Sequence, residues 1–193
     1  MSSSAETLAP PRLRGDLALW FVIGAELLTF GLLFVAYAFA RTRETALFDA
    51  AQATLDVSAG ALNTVWLVSG SWCVARAVRS LHGDDARRGR RWLLAALACA
   101  AAFLLSKSAE LAAKFDAGID LTTNTFWMFY LMLTVFHFLH VAVAAVFLAV
   151  VAWHAGRGAY GPQRLNTPES AAAFWHMVDL LWIVLFPLLY VMR

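Results

Sequence analysis

The chain has 193 residues and a formal net charge of +2, and it is 61% hydrophobic but only 15% charged, whereas a soluble domain carries about 25% charged and under half apolar residues. That balance excludes an ordinary soluble domain, gives no case for a nucleic-acid partner, and suits a chain embedded in lipid. Cys73 and Cys99 lie in separate apolar runs without paired spacing, which makes them packing residues rather than a disulfide, zinc or iron–sulfur framework.

Residues 1–16, MSSSAETLAPPRLRGD, are polar, contain two adjacent prolines, and read as a flexible cytoplasmic tail. The apolar run behind them is too long for a signal-peptide core, and no small-residue cleavage site follows it. Run one, residues 17–40, is broken only by Glu26 and the neutral Thr29. Further runs cover about residues 58–78, 92–113, 126–153 and 171–192. Each is near the ~20 residues with which a helix crosses a bilayer, and a helix satisfies its own backbone in lipid. The expected architecture is therefore all-α, a polytopic membrane bundle of five transmembrane helices over residues 17–193. No connection is long enough for a separate soluble domain, and no internal repeat suggests an inverted-repeat transporter.

Arginine placement orients the bundle, because Lys and Arg flanking short loops stay on the cytoplasmic side. Arg12 and Arg14 precede run one, Arg76, Arg79, Arg87, Arg88, Arg90 and Arg91 surround the second connection, and Arg157 and Arg164 lie in the fourth. The first and third connections are poorer in base: Arg41 and Arg43 face Glu44, Asp49 and Asp56, and Lys114 faces Asp116 and Asp120. The amino terminus is expected inside and the carboxyl terminus outside.

Ionisable groups within a bilayer cost a few kcal/mol or more, so they need partners or a task. Glu26 lies in run one, Lys107 and Glu110 in run three, His137 and His140 in run four, and His176 and Asp179 in run five. Counted from the cytoplasmic ends, Glu26 and Asp179 both fall at a depth of roughly 12 to 15 Å, so they could share one polar layer with His176. Spacings of three put His137 with His140, His176 with Asp179, and Lys107 with Glu110 on common helix faces. The last pair can neutralise itself as an intramembrane ion pair. Interhelical bracing accounts for most such groups. Glu26, with no basic neighbour one turn away, is the candidate proton or lipid site, together with His140, His176 and Asp179.

Three histidines and two carboxylates could supply metal ligands if the helices converged, but haem–copper and di-iron sites draw on more His or on Glu-x-x-His pairs, and no such pair occurs here. Catalytic, cofactor-binding and metal-ligating residues are thus expected to be absent from this chain. Trp66, Trp72, Trp127 and Trp182 read as lipid anchors and packing residues.

The segment ESAAAFWHMVDLLWIVLFPLLY, Glu169 to Tyr190, resembles the last helix of cytochrome c oxidase subunit III, where a Glu, a small-residue stretch and a WHxVDxxW core recur in that order, matched here by Glu169, His176, Asp179 and Trp182. FHFLHV, Phe136 to Val141, with His137 and His140, resembles that family's FHGxHV, with Phe138 where the family generally has Gly. Glu26 in GAELLTFGLLFVAY matches the family's acidic residue at the start of the shared region, and LNT at Leu62 to Thr64 and the Lys107 to Glu110 stretch fall on equivalent helices. The resemblance covers about residues 15 to 193 in unbroken order. Full-length members have seven helices with a lipid-filled cleft after the first two. The match here is to the five-helix branch, and GDLALW, LNTVWLVSGSW, TTNTFWMFY and HMVDLLWIVLFPLLY are most similar to the NorE-type proteins associated with nitric oxide reductase.

The resemblance implies a non-catalytic accessory subunit of a haem–copper oxidase or nitric oxide reductase in a bacterial inner membrane, supporting assembly, lipid binding and sustained proton uptake. Haem, with copper or non-haem iron, would belong to a partner catalytic subunit, and phospholipids would be further partners. The competing reading is a stand-alone transporter or proton channel using Glu26, His140, His176 and Asp179 as a relay.

Overall fold

The structure, a computed structural model, describes residues 17–160 and 165–192. The tail 1–16 with Arg12 and Arg14, together with Arg164 and Arg193, lies outside the described residues. Within them the chain is entirely helical: α1 (Leu17–Arg43), α2 (Thr45–Gln52), α3 (Val57–His82), α4 (Ala86–Asp116), α5 (Thr125–Gly156) and α6 (Asn166–Phe186), followed by one π-helical turn (Pro187–Val191).

Five of these helices, α1 and α3 to α6, match the five apolar runs, and four of them are long and apolar enough to cross a membrane: α1, α4, α5, and α6 with its π turn. The exception is α3, whose length suffices but whose sequence carries Asn63, Thr64, four Ser, Arg76 and Arg79. Of these, Asn63 is buried and Thr64 and Ser71 are partly buried, whereas Ser58 and Arg79 are exposed. The first connection contains α2, which the apolar runs do not announce because it is only one amphipathic stretch of eight residues.

Helix starts follow local capping chemistry. Asp56 accepts from the backbone N–H groups of Ser58 and Ala59, Asp85 from Arg88, and Asn124 from Trp127. Between α4 and α5 the Asp120 carboxylate accepts from the hydroxyls of Thr122 and Thr123 and the Thr122 N–H. Those hydrogen bonds, the Thr122 side chain's first among them, hold its carboxyl below the usual range.

The buried centre is α6, which packs against α1, α3 and α5, while α4 closes the bundle against α3 and α5. Consistent with a helix surrounded by neighbours, α6 buries residues on most sides, including Trp175, Val178, Leu181, Trp182 and Leu185. By contrast α1 buries only Ile23, Phe30 and Tyr37, a seam of period seven, and leaves Phe21, Leu28, Leu32, Val35 and Phe39 more than 60% exposed. Two glycines let α3 approach α6 closely: a Cβ on Gly60 would lie 2.7 Å from the Phe186 ring, and one on Gly70 would lie 2.8 Å from Trp175.

Pro187 has no N–H to donate, and the helix ends in a wider turn closed by Met192 N–H to Pro187 O at 2.9 Å. The last carbonyls of any helix lack intrahelical donors, and here other elements supply them. The Gln52 amide donates to Leu188 O at 3.2 Å and Leu189 O at 3.1 Å, the Tyr37 hydroxyl donates to Leu188 O at 3.3 Å, and Arg41 donates to Met192 O. Arg41 is held in turn by Asp49 at 3.0 Å. The ends of α1 and α2 thereby clamp the end of the bundle's central helix.

Because Trp175 is 1% exposed and cannot swing into solvent, Gly70→Ala should lower the stability of the detergent-solubilised protein by about 1–3 kcal/mol through overpacking. The readout is the midpoint of thermal or denaturing-detergent unfolding. Gly24→Ala, at a position with open space around the Cβ, should not lower it.

Candidate functional site

The candidate residues fall into three groups, one deep inside the bundle, one bridging α3 and α6, and one facing outward between α1 and α5.

The interior group is centred on Lys107, which is fully buried. Its ammonium donates to Glu110 Oε2 at 3.0 Å and to the Tyr190 hydroxyl at 2.6 Å. It also lies 5.1 Å from the ring centres of Trp182 and Tyr190 and 5.6 Å from that of Tyr130, within cation–π range. Glu110 Oε1 accepts from Tyr130 at 2.5 Å and Tyr190 at 2.6 Å. Charge, counter-charge and every hydroxyl in reach are thus matched, which is the condition for a buried ion pair to persist. Trp182 carries the network onward: its indole N–H donates to Thr64 at 2.9 Å, Phe103 meets it edge-on, and the His137 ring lies 5.2 Å away. His137 is wholly buried, and among the described residues neither ring nitrogen has a hydrogen-bond partner.

The bridging group turns on Ser71, which sequence spacing did not single out. Its hydroxyl donates to Asp179 Oδ2 at 2.6 Å, and it accepts from the Trp175 indole N–H at 3.1 Å. His176 Nδ1 lies 3.3 Å from the same oxygen. The single hydroxyl hydrogen is directed to the carboxylate, so His176 meets Ser71 as an Nδ1–H donor. His176 and Asp179 share a face as their spacing implies, but Ser71 of α3 mediates between them.

The outward group pairs Glu26 with His140 across α1 and α5, Oε2 to Nε2 at 3.1 Å. The donor facing Glu26 is therefore His140, and His176 and Asp179 belong to the separate bridging group. His140 Nδ1 lies 2.7 Å from Phe136 O, a carbonyl that can only accept, so Nδ1 carries a hydrogen. The contact between Nε2 and Glu26 then contains one shared proton, as carboxylate with imidazolium or carboxylic acid with imidazole. Glu169 forms an analogous pair with His82, at 3.0 Å, whose Nδ1 donates to Val78 O. The Glu26 pair borders a cavity of about 380 Å³ lined otherwise by Leu19, Val22, Leu139, Val143, Phe147 and Phe174.

His137 and His140, three residues apart, do not act together: one ring turns inward to Trp182 and the other outward to Glu26. Sequence reasoning missed Ser71, Tyr130, Tyr190 and His82. The signal available for the tyrosines was a hydroxyl placed inside an apolar run, since such a group needs a partner in lipid. Trp127 and Trp182 are buried packing residues, while Trp72 is exposed. Among the described residues no three His, Cys, Asp or Glu side chains converge on a site that could hold a metal ion.

Comparison with known proteins places this arrangement in context. The sequence profile for cytochrome c oxidase subunit III matches residues 16–193. A cytochrome c oxidase subunit 3 from Thermostichus vulcanus is 31% identical over 169 residues, covering 87% of this chain and 82% of that protein. A haem–copper oxidase subunit I+III from Aeropyrum pernix is 29% identical over 181 residues, covering 90% of this chain and 22% of that longer protein. Quinol oxidase subunit 3 from Bacillus subtilis is 23% identical over 176 residues, covering 91% of this chain and 86% of that protein. With Glu26, the histidine-bearing α5 and the tryptophan-rich α6 all inside the matched span, the chain belongs to the cytochrome c oxidase subunit III family.

Proposed function

We propose that the chain is a non-catalytic accessory subunit of a haem–copper oxidase-type complex, crossing the bacterial inner membrane five times and stabilising a separate haem-bearing subunit. The observation that carries this reading is the family match over nearly the whole chain. The pattern of polar contacts supports it, because buried polar groups join helix to helix. Membership of the NorE-type branch, and hence a nitric oxide reductase as the partner, is supported by the four sequence segments quoted above. The fifth span is α3, whose Asn63, Thr64 and Ser71 face inward. With the arginine-rich turn between α3 and α4 on the cytoplasmic side, the amino terminus is cytoplasmic and the carboxyl terminus periplasmic. Residues 1–16 form the cytoplasmic tail.

In this role Glu26 and His140 form a proton-holding pair at the lipid-facing groove between α1 and α5, where acyl chains lie along Leu19, Val22, Val143 and Phe147. The pair can exchange one proton without leaving a net charge in lipid, a suitable property for steadying proton uptake by a neighbour. A four-residue relay is less well supported, because among the described residues no hydrogen bond links Glu26 and His140 to the Ser71 group.

Three measurements test this. In the purified complex, Glu26→Gln retains a side-chain donor for His140 and should leave the subunit ratio unchanged while turnover declines faster over prolonged cycling. Glu26→Lys replaces the carboxylate that faces His140 with a cation, costs a few kcal/mol in the membrane, and should lower the subunit ratio. Normal assembly and sustained turnover with Lys would refute the pairing.

Lys107→Met leaves Glu110 without its counter-ion and should destabilise the subunit by about 3–5 kcal/mol, whereas Lys107→Met with Glu110→Gln should recover much of that loss. Unfolding of the four members of this double-mutant cycle reads the coupling directly.

A reporter fused after Arg193 should behave as periplasmic. Cytoplasmic behaviour would refute either the orientation or the fifth span.

A further inference from the structure

At the end of the bundle away from Lys107, a cavity of about 510 Å³ opens between the first turns of α4 and the last turn of α5. Arg87, Arg90 and Arg91 line it, with Ala86, Leu94 and the backbone around Gly156 completing the wall, and no carboxylate contributes. Among the described residues none of these three guanidinium groups has a carboxylate within ion-pair reach. The neighbouring arginine cavity is different, since Asp85 lines it with Arg76, Arg79 and Arg88, and Arg76 already lies over Trp72 and Trp92.

The position of Arg90 depends on a particular residue. A Cβ on Gly156 would lie 3.1 Å from Arg90 Nε and 3.2 Å from its Cζ, so the glycine lets the guanidinium approach the end of α5 closely. Above the arginines, Leu94, Ala98, Ala101 and Leu105 follow at intervals of three or four residues and are all exposed, forming an apolar stripe with a shallow middle. From Arg91 to Leu105 the helix rises ~21 Å, more than the ~15 Å of one hydrocarbon leaflet.

We infer that this cavity binds the phosphate of an anionic phospholipid, with Arg87, Arg90 and Arg91 around the headgroup and an acyl chain along the Leu94–Leu105 stripe. Forked guanidinium donors suit phosphate oxygens, and basic pockets between helices on the cytoplasmic side recognise anionic headgroups. Inorganic phosphate shares the headgroup chemistry but has no use for the stripe. The inference rests on the membrane placement proposed above and concerns a site separate from the Glu26 groove.

The test uses the complex purified in mild detergent and equilibrated with mixed micelles of phosphatidylglycerol and phosphatidylcholine of identical chains, with retained lipid identified by mass spectrometry. The wild type should enrich phosphatidylglycerol, and R87Q/R90Q/R91Q should lose about tenfold of that preference. Gly156→Ala, which changes no charge, should weaken it by displacing Arg90, while R79Q/R88Q should keep it. Undiminished enrichment in the triple variant, or equal loss in R79Q/R88Q, overturns the site. Displacement of phosphatidylglycerol by millimolar inorganic phosphate overturns the lipid as its ligand. Loss of the haem-bearing subunit while the wild-type lipid preference persists overturns the accessory-subunit reading and leaves this one standing.

Discussion

A lysine that lies wholly inside a membrane bundle must have its charge matched and its ammonium solvated by protein groups, and this requirement at Lys107, met by two hydrogen-bond acceptors and the surrounding ring faces, fixes much of the structure around it. Glu110 supplies the counter-charge from one turn further along α4. The other partners come from elsewhere: Tyr190 of the π turn accepts from Lys107, Tyr130 of α5 donates to Glu110, and Trp182 of α6 offers its ring face to the ammonium. A one-residue slip of α5 or of the final turn would withdraw a hydroxyl from Glu110 and leave buried charge under-solvated. The cluster therefore specifies register among three segments as well as contributing to their cohesion. Trp182 extends that constraint to α3 through Thr64.

The family motif takes on physical content in this setting. Its tryptophan and inward histidine border the lysine cage, its aspartate ties α6 to α3 through Ser71, and its outer histidine meets Glu26. From α6, Asp179 and Trp182 thus reach α3 and α4, while on α5 His137 faces Trp182 and His140 faces α1. The outward Glu26 and His140 pair is chemically distinct from the cage: its two members have one proton between them and border an apolar groove, whereas the cage residues are mutually satisfied and shut away.

Helical class, the long segments and the Lys107 to Glu110 pair were legible in the sequence because each depends on local periodicity. Cross-helix partnerships were not. Glu26 lies 114 positions from His140, and Ser71 lies 108 from Asp179, separations at which the rule of three and four says nothing. Equal depth suggested that Glu26 would meet His176, but depth leaves the azimuth of each helix free, and α1 presents its glutamate to α5. The same limit applies within a helix, since positions three apart differ by about 60° around the axis. That difference is enough to turn His137 inward and His140 outward. Helix α2 escaped notice because its apolar residues are too few to form a run, although its Gln52 is among the most deeply engaged polar groups in the chain.

The clamp on the π turn also has a consequence in time. Tyr37, Arg41 and Gln52 belong to the first third of the sequence, yet the carbonyls they serve are supplied by residues 188, 189 and 192. While the chain is being inserted from its amino end, those donors have only each other and Asp49 to bond until the final turn is made. The first helix, held otherwise by a narrow seam, thus remains free to reorient through most of synthesis and is locked only when the final turn arrives. Biogenesis of this bundle finishes by joining its two ends, and a nascent chain stalled before that point would be recognisable in the membrane by its uncompensated polar groups.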